Sequence, residues 1–174
     1  MIGFPDAYLD IETTGLYPHE SRITVIGIYC CNGDDGRLVQ LYDAKLTCRN
    51  LLNAMEGTER MFTYNGSRFD IPFIRTHLGP DLALMHPHTD LMYKCWDHNL
   101  RGGFKKVLKQ MGISRETDGL NGLDAIWLWH EYKKSNDRAA LDLLLRYNRD
   151  DIVNLRQLRD ALAEISMPRV AQPQ

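Results

Sequence analysis

Apolar and polar positions alternate in short runs over the first third of the chain, and the period then lengthens. Residues 7–11 (AYLDI), 23–30 (ITVIGIYC) and 37–43 (RLVQLYD) are apolar or β-branched and lie between turn-forming stretches, which predicts three strands. Asn32-Gly33 and Asp35-Gly36 separate the second from the third. Such pairs supply the positive φ angles of a tight hairpin, so these two strands are expected to be antiparallel neighbours. A short helix over 51–55 leads to a fourth strand at 61–64 (MFTY). Beyond Asp70 the spacing predicts helices over 73–78, 104–111, 123–134 and 138–164. In the last of these, Leu141, Leu144, Leu145, Ile152, Leu155, Leu158 and Leu162 recur every three or four residues, making one stripe suited to a sheet. Strands first and helices afterwards, with an early hairpin, predict an α/β fold: a mixed β-sheet flanked by α-helices.

Length adds that this is one domain, expected over 1–165, with 166–174 as a flexible tail because MPRVAQPQ has two prolines and no pattern. A hydrophobic share of 44% and a charged share of 25% exclude disordered and fibrous classes. No run approaches the roughly 20 apolar residues of a membrane span. The opening MIGFPDAYLDIETTG lacks the basic and apolar regions of a signal peptide, so a cytoplasmic location is expected. Four cysteines without a CxxC pair read as reduced thiols, with adjacent Cys30 and Cys31 on opposite faces of their strand. His86 and His88 around Pro87 read as loop residues, and Trp96, Trp127 and Trp129, with Phe4 and Phe62, as core or helix-packing residues. A net charge of −2 argues against broad adhesion to polyanions and leaves room for a local basic groove.

The chemistry-bearing residues are acidic. Asp10 and Glu12 end the first strand two positions apart, so both project from one face before Thr13-Thr14-Gly15 turns away. Paired carboxylates repel unless a cation joins them, and hard oxygen ligands suit magnesium or manganese. A solvated strand end would give the same pattern. Asp70 closes Asn65-Gly66-Ser67-Arg68-Phe69-Asp70, where it either caps the following helix or faces the first pair across the sheet. On the last helix Tyr147 and Asp151 are four residues apart and share a face, which suits a structural hydrogen bond as well as a site.

Taken together, D-x-E on the first strand, N-x-x-x-F-D after a later strand and Y-x-x-x-D on the final helix resemble the three motifs of the DEDD superfamily of 3′–5′ exonucleases. YLDIETTGL, FTYNGSRFDIPFIR and YNRDDIVNL are most similar to its YprB-like, ribonuclease-H-like family, and the resemblance runs from Tyr8 to about Leu158. Tyr147 stands four places before Asp151, while Arg146 occupies the position of the histidine in the other subtype, so the chain resembles the tyrosine subtype and Asp151 rather than Asp150 is the matching ligand.

The resemblance implies a ribonuclease-H-like fold and hydrolysis of DNA or RNA from the 3′ end. Asp10, Glu12, Asp70 and Asp151 would hold two Mg2+ or Mn2+ ions about 4 Å apart, one activating water and the other stabilising the departing 3′ oxygen. Tyr147 would orient the attacking water, and nucleoside 5′-monophosphates would be released. Thr13, Gly15, Leu16, Asn65 and Phe69 would approach the terminal nucleotide. Lys105 and Lys106, at a helix start opened by Gly102-Gly103, are candidates for phosphate contact, although a solvated amphipathic helix has the same pattern. Asp90 matches a position where related enzymes often keep an acidic residue, and a helix cap explains it equally. The alternative function is a non-catalytic nucleic-acid-binding module on this fold, which would have lost metal ligands; all four acidic residues are present. No motif identifies a helicase or polymerase partner, or separates DNA from RNA.

Overall fold

The computed structural model describes residues 5–166. Five strands, β1 (Asp6–Thr13), β2 (Ile23–Asn32), β3 (Asp35–Tyr42), β4 (Arg60–Thr63) and β5 (His88–Asp90), form one sheet in the order β3-β2-β1-β4-β5. β1 is antiparallel to β2 and parallel to β4, and β5 continues the parallel half. The predicted hairpin is present, with Asn32 opposite Asp35 and Gly33 at φ +60° in the turn. Among the described residues, seven α-helices accompany the sheet: α1 (Cys48–Ala54), α2 (Asp70–Leu78), α3 (Leu82–Met85), α4 (Leu91–Asp97), α5 (Phe104–Gln110), α6 (Gly122–Ser135) and α7 (Arg138–Ser166). Residue 166, placed in the tail by the sequence, closes α7; 167–174 and Phe4 lie outside the described residues.

The alternation of β1 sorts the core into two layers. Ala7, Leu9 and Ile11 join Leu51, Ala54, Phe73 and Ile74 from α1 and α2 on one face. Tyr8 joins Leu91, Val107, Leu108, Ile152, Leu155 and Leu158 from α4, α5 and α7 on the other. Cys30 and Cys31 divide between these layers, as their adjacency in a strand requires. Asp10 and Glu12 share the parity of Tyr8 and therefore belong to the α7 face.

Helix α7 is held by its predicted stripe, with Leu141, Leu144, Ile152, Leu155, Leu158 and Leu162 buried. That burial contributes roughly 1.5–3 kcal/mol per side chain, and the same helix carries Tyr147, Asn148, Asp150 and Asp151 buried beside it. The close approach of α7 to the sheet depends on Gly27, opposite Asp10 on β2. A Cβ there would collide with Ile152 Cδ1 and Asn148 Oδ1.

Two sequence expectations fail here. Trp127 is 60% exposed on α6 and does not pack in the core. His88 belongs to a strand rather than a loop, and its Nε2 lies 2.8 Å from Thr63 Oγ1 on the neighbouring strand. Among the described residues, no helix is long and apolar enough to cross a membrane.

Gly27→Ala is expected to lower stability by about 1–3 kcal/mol, because the added methyl overpacks a closed interface. Urea denaturation in chelator measures the loss, and a midpoint equal to that of the parent protein would show that α7 tolerates displacement.

Candidate metal centre

Asp10, Glu12 and Asp151 each offer a carboxylate oxygen, and these atoms lie within 4.8 Å of one another. Strand parity supplies the first two. Just past Glu12 the β1–β2 register shifts, with Glu12 opposite Val25 and Thr13 opposite Ile23. Asn148, one turn before Ile152 on α7, fixes the third relative to the first: its Nδ2 donates to Asp10 Oδ2 at 3.2 Å and to the Asp10 carbonyl at 3.3 Å. Gln40 Nε2 in turn donates to Asn148 Oδ1 at 3.0 Å.

Asp70 arrives by a different route. It is the first residue of α2, yet the cap position is Phe69 and carries no side-chain cap bond. Its Oδ1 instead accepts the backbone N–H of Ile11 at 3.0 Å, between the two β1 carboxylates. The turn that presents it has Asn65 at φ +63°, with Asp90 Oδ1 and Oδ2 accepting the N–H groups of Asn65 at 2.7 Å and Ser67 at 3.1 Å. Asp90 also caps α4 through Met92 N–H at 3.1 Å, so it is both cap and buckle for the Asp70 turn.

The charges are strongly frustrated. Burial, then Glu12, Asp70 and Asp151, push the Asp10 carboxyl well above its usual range. Burial, then Asp151, does the same to Glu12, with Lys105 opposing. Asp70 is pushed up to about 7, chiefly by burial. Packed oxygen donors whose ionised forms repel one another fit a hard divalent cation, which would neutralise what the protein leaves uncompensated.

Two basic side chains from outside the motifs reach this centre. Arg115, in the segment between α5 and α6, pairs through Nη1 with Asp151 Oδ1. Lys105 donates from Nζ to the Tyr147 phenol oxygen at 2.7 Å and to the Leu120 carbonyl. Burial and the charges of Asp151, Glu12 and Asp10 raise the Tyr147 phenol far above its ordinary value, so it keeps its proton at neutral pH. Asp150 faces inward too: it accepts from Glu116 N, Thr117 N, Thr117 Oγ1 and Asn154 Nδ2, fastening the Arg115 segment to α7.

The remaining predicted contact residues are distributed around the mouth. Thr13 is buried, and its Oγ1 donates to the Gly15 carbonyl at 2.6 Å, shaping the turn after β1. Leu16 beyond it is 73% exposed. Asn65 heads the Asp70 turn, and Phe69 is half-buried with its ring centroid 4.8 Å from that of Phe73. Lys106 is exposed, and its stem runs beside Gly102 instead of joining Lys105 at the carboxylates. Arg115, Asn148 and Gly27 escaped the sequence reading. Arg115 carries no local motif, whereas the four-residue step from Asn148 to Ile152 marks one helix face without revealing what it meets.

With this geometry in view, a family model described as the RNase H superfamily matches residues 7–163. The chain belongs to the RNase H superfamily. Solved structures agree in fold. The family B DNA polymerase of Pyrobaculum calidifontis superposes with a TM-score of 0.68 at 15% identity, over 91% of this chain and 24% of the polymerase, so the chain spans about a quarter of that protein. Brucella melitensis NrnC bound to pGG gives 0.63 at 19% identity, covering 91% of this chain and 72% of NrnC. NrnC with bound Mg2+ gives 0.61 at 20% identity over the same shares. The apo form of a nuclease gives 0.60 at 23%, covering 92% and 72%. No curated protein sequence matches the chain. At the end of β1 the acidic cluster is a group that could hold a metal ion.

A raised carboxyl stabilises the fold while protonated, and that contribution is lost as pH climbs from the unfolded value near 4 toward the folded one. For Asp70 the window closes at about 7. In chelator, Asp70→Asn is therefore expected to match the parent near pH 4 and to melt progressively higher than it by pH 8. A parallel pH dependence of the two melting temperatures would refute the buried-charge account.

Proposed function

We propose that this RNase H superfamily member is a metal-dependent 3′–5′ exonuclease of the tyrosine-type DEDD class, hydrolysing DNA or RNA and releasing nucleoside 5′-monophosphates. One observation carries the reading: Asp10, Glu12 and Asp151 converge within 4.8 Å from a strand and a helix far apart in sequence, with Asp70 tied to the backbone between the first two. NrnC structures with pGG and with Mg2+ support a nucleic-acid substrate and magnesium, and manganese satisfies the same oxygen donors.

Asp10, Glu12, Asp70 and Asp151 would hold two ions. Bound there, divalent cations neutralise charge on the scissile phosphate and acidify water. Tyr147 positions water, because a phenol with its pKa raised is a donor and not a base. Lys105, already donating to the phenol oxygen, leaves the phenolic proton directed to another acceptor and sets a positive charge beside the carboxylates. Burial lowers the Lys105 pKa, while Asp151 and Glu12 oppose that shift and favour the ammonium form. Thr13, Gly15 and exposed Leu16 frame one side of the terminal nucleotide, with Asn65 and Phe69 on the turn that delivers Asp70.

Asp10→Asn, Asp70→Asn and Asp151→Asn are each expected to abolish release of mononucleotides from a 3′-labelled oligonucleotide, the first two without lowering the melting temperature in chelator, and Asp151→Asn with some loss of stability because it strips the buried Arg115 of its partner. Tyr147→Phe is expected to slow cleavage on the order of 100-fold while leaving Mn2+ affinity unchanged. Purified protein assayed on 3′- and 5′-labelled DNA and RNA, with Mg2+, Mn2+ or chelator, tests the reading directly. Undiminished cleavage by the three Asn variants, or 5′-end attack, would overturn it.

A further inference from the structure

Arg115 holds an unusual position for a basic residue in a metal site. Its side chain is 5% exposed and contacts the ligand Asp151 directly through Nη1. Nη2 lies 3.3 Å from Thr117 Oγ1 and 3.6 Å from Asp150 Oδ2, and the guanidinium carbon sits 5.7 Å from the centre of the Tyr147 ring. The Nε donor is buried with no hydrogen-bond partner. A buried, unpartnered guanidinium donor is costly, and its presence beside a catalytic carboxylate points to a ligand still to come.

The surroundings show where that ligand sits. Arg115 lines a cavity of about 390 Å³ together with Lys105, Lys109, Ser114 and Asp118. Lys105 and Arg115 belong both to this cavity and to the carboxylate cluster, so the two spaces adjoin. Three cations against one carboxylate make the cavity suited to phosphate. The backbone around Arg115 is pinned separately, because Asp150 accepts from Glu116 N, Thr117 N and Thr117 Oγ1. The guanidinium can leave Asp151 without releasing its segment.

We propose that Arg115 is an exchangeable counter-cation: in the metal-free protein it neutralises Asp151, and when a divalent ion claims that carboxylate the guanidinium turns to the phosphate of the nucleotide in the adjoining cavity. This rests on the metal reading above. A guanidinium and a divalent cation that share one buried carboxylate repel each other strongly, so metal binding must work against Arg115 until an anion receives it. Metal and nucleotide then favour each other's binding through one side chain.

Two variants separate this role from simple structural support. Calorimetric titration of Arg115→Gln with Mn2+ alone is expected to give about tenfold tighter binding than the parent, because a competing charge is gone. With Mn2+ saturating, thymidine 5′-monophosphate is expected to bind at least tenfold more weakly to the same variant. Arg115→Lys retains the charge and loses the planar fork, so it should keep parental Mn2+ affinity and still bind the monophosphate more weakly. A structural role would weaken both ligands in both variants. That result, or unchanged Mn2+ affinity in Arg115→Gln, overturns the exchange while leaving the metal site standing. Absence of Mn2+ binding to the parent protein would overturn the metal site itself and the exchange with it.

Discussion

Repulsion among buried carboxylates is the constraint around which this molecule is arranged. Glu12, Asp70 and Asp151 are buried and Asp10 is half-buried beside them, and each is pushed toward its protonated form by burial or by its neighbours. Hydrophobic packing does not require such a cluster. It is tolerated because each acid has a structural hold elsewhere: Asn148 on Asp10, the Ile11 N–H on Asp70 and Arg115 on Asp151. These holds set position, and of the three only Arg115 brings a countercharge. The remaining donor set fits a divalent cation.

The geometry follows from docking one helix on two strands. β1 carries two acids at the parity that faces α7, and α7 carries its acid between Asn148 and Ile152, the residues that press on Gly27. Gly27 controls the separation, since Asn148 and Ile152 occupy the volume its missing side chain leaves. Packing and chemistry are therefore coupled at one contact. A change that lifts α7 by a fraction of an ångström loosens the core and moves Asp151 away from Asp10 at once.

Much of this was legible in the sequence, for identifiable reasons. Strands β1 to β4 announce themselves because each has an apolar run bounded by turns, and α7 because its stripe persists over seven positions. Asp10 and Glu12 were readable as a pair because strand alternation is strict. β5 was not legible: three residues, His88-Thr89-Asp90, have no apolar period of their own and become a strand only by pairing with β4. α4 was hidden in the same stretch, its cap Asp90 doubling as the acceptor for the Asp70 turn. Trp127 misled because bulk and aromaticity suggest burial, whereas its face of α6 is open. Arg115 lies in a segment without periodicity, and only the folded positions of Asp150 and Asp151 give it meaning.

The Asp150-Asp151 doublet shows why a motif can be matched and still be half understood. The resemblance to the tyrosine subtype distinguishes the two, through the four-residue step from Tyr147 to Asp151, and leaves Asp150 as a neighbour. In the structure both are buried, yet their environments have opposite effects. Asp150 takes four hydrogen bonds from the segment bearing Arg115 and from Asn154, and these, with Arg115 nearby, hold its carboxyl below the usual range despite burial. Asp151, with burial unrelieved by such donors, is pushed up although Arg115 lies against it. A carboxylate held by four donors anchors; one held by a single guanidinium retains affinity for a cation. Adjacent positions on one helix thus divide the work, one fixing the segment that supplies positive charge and the other presenting negative charge to whatever that segment does not neutralise.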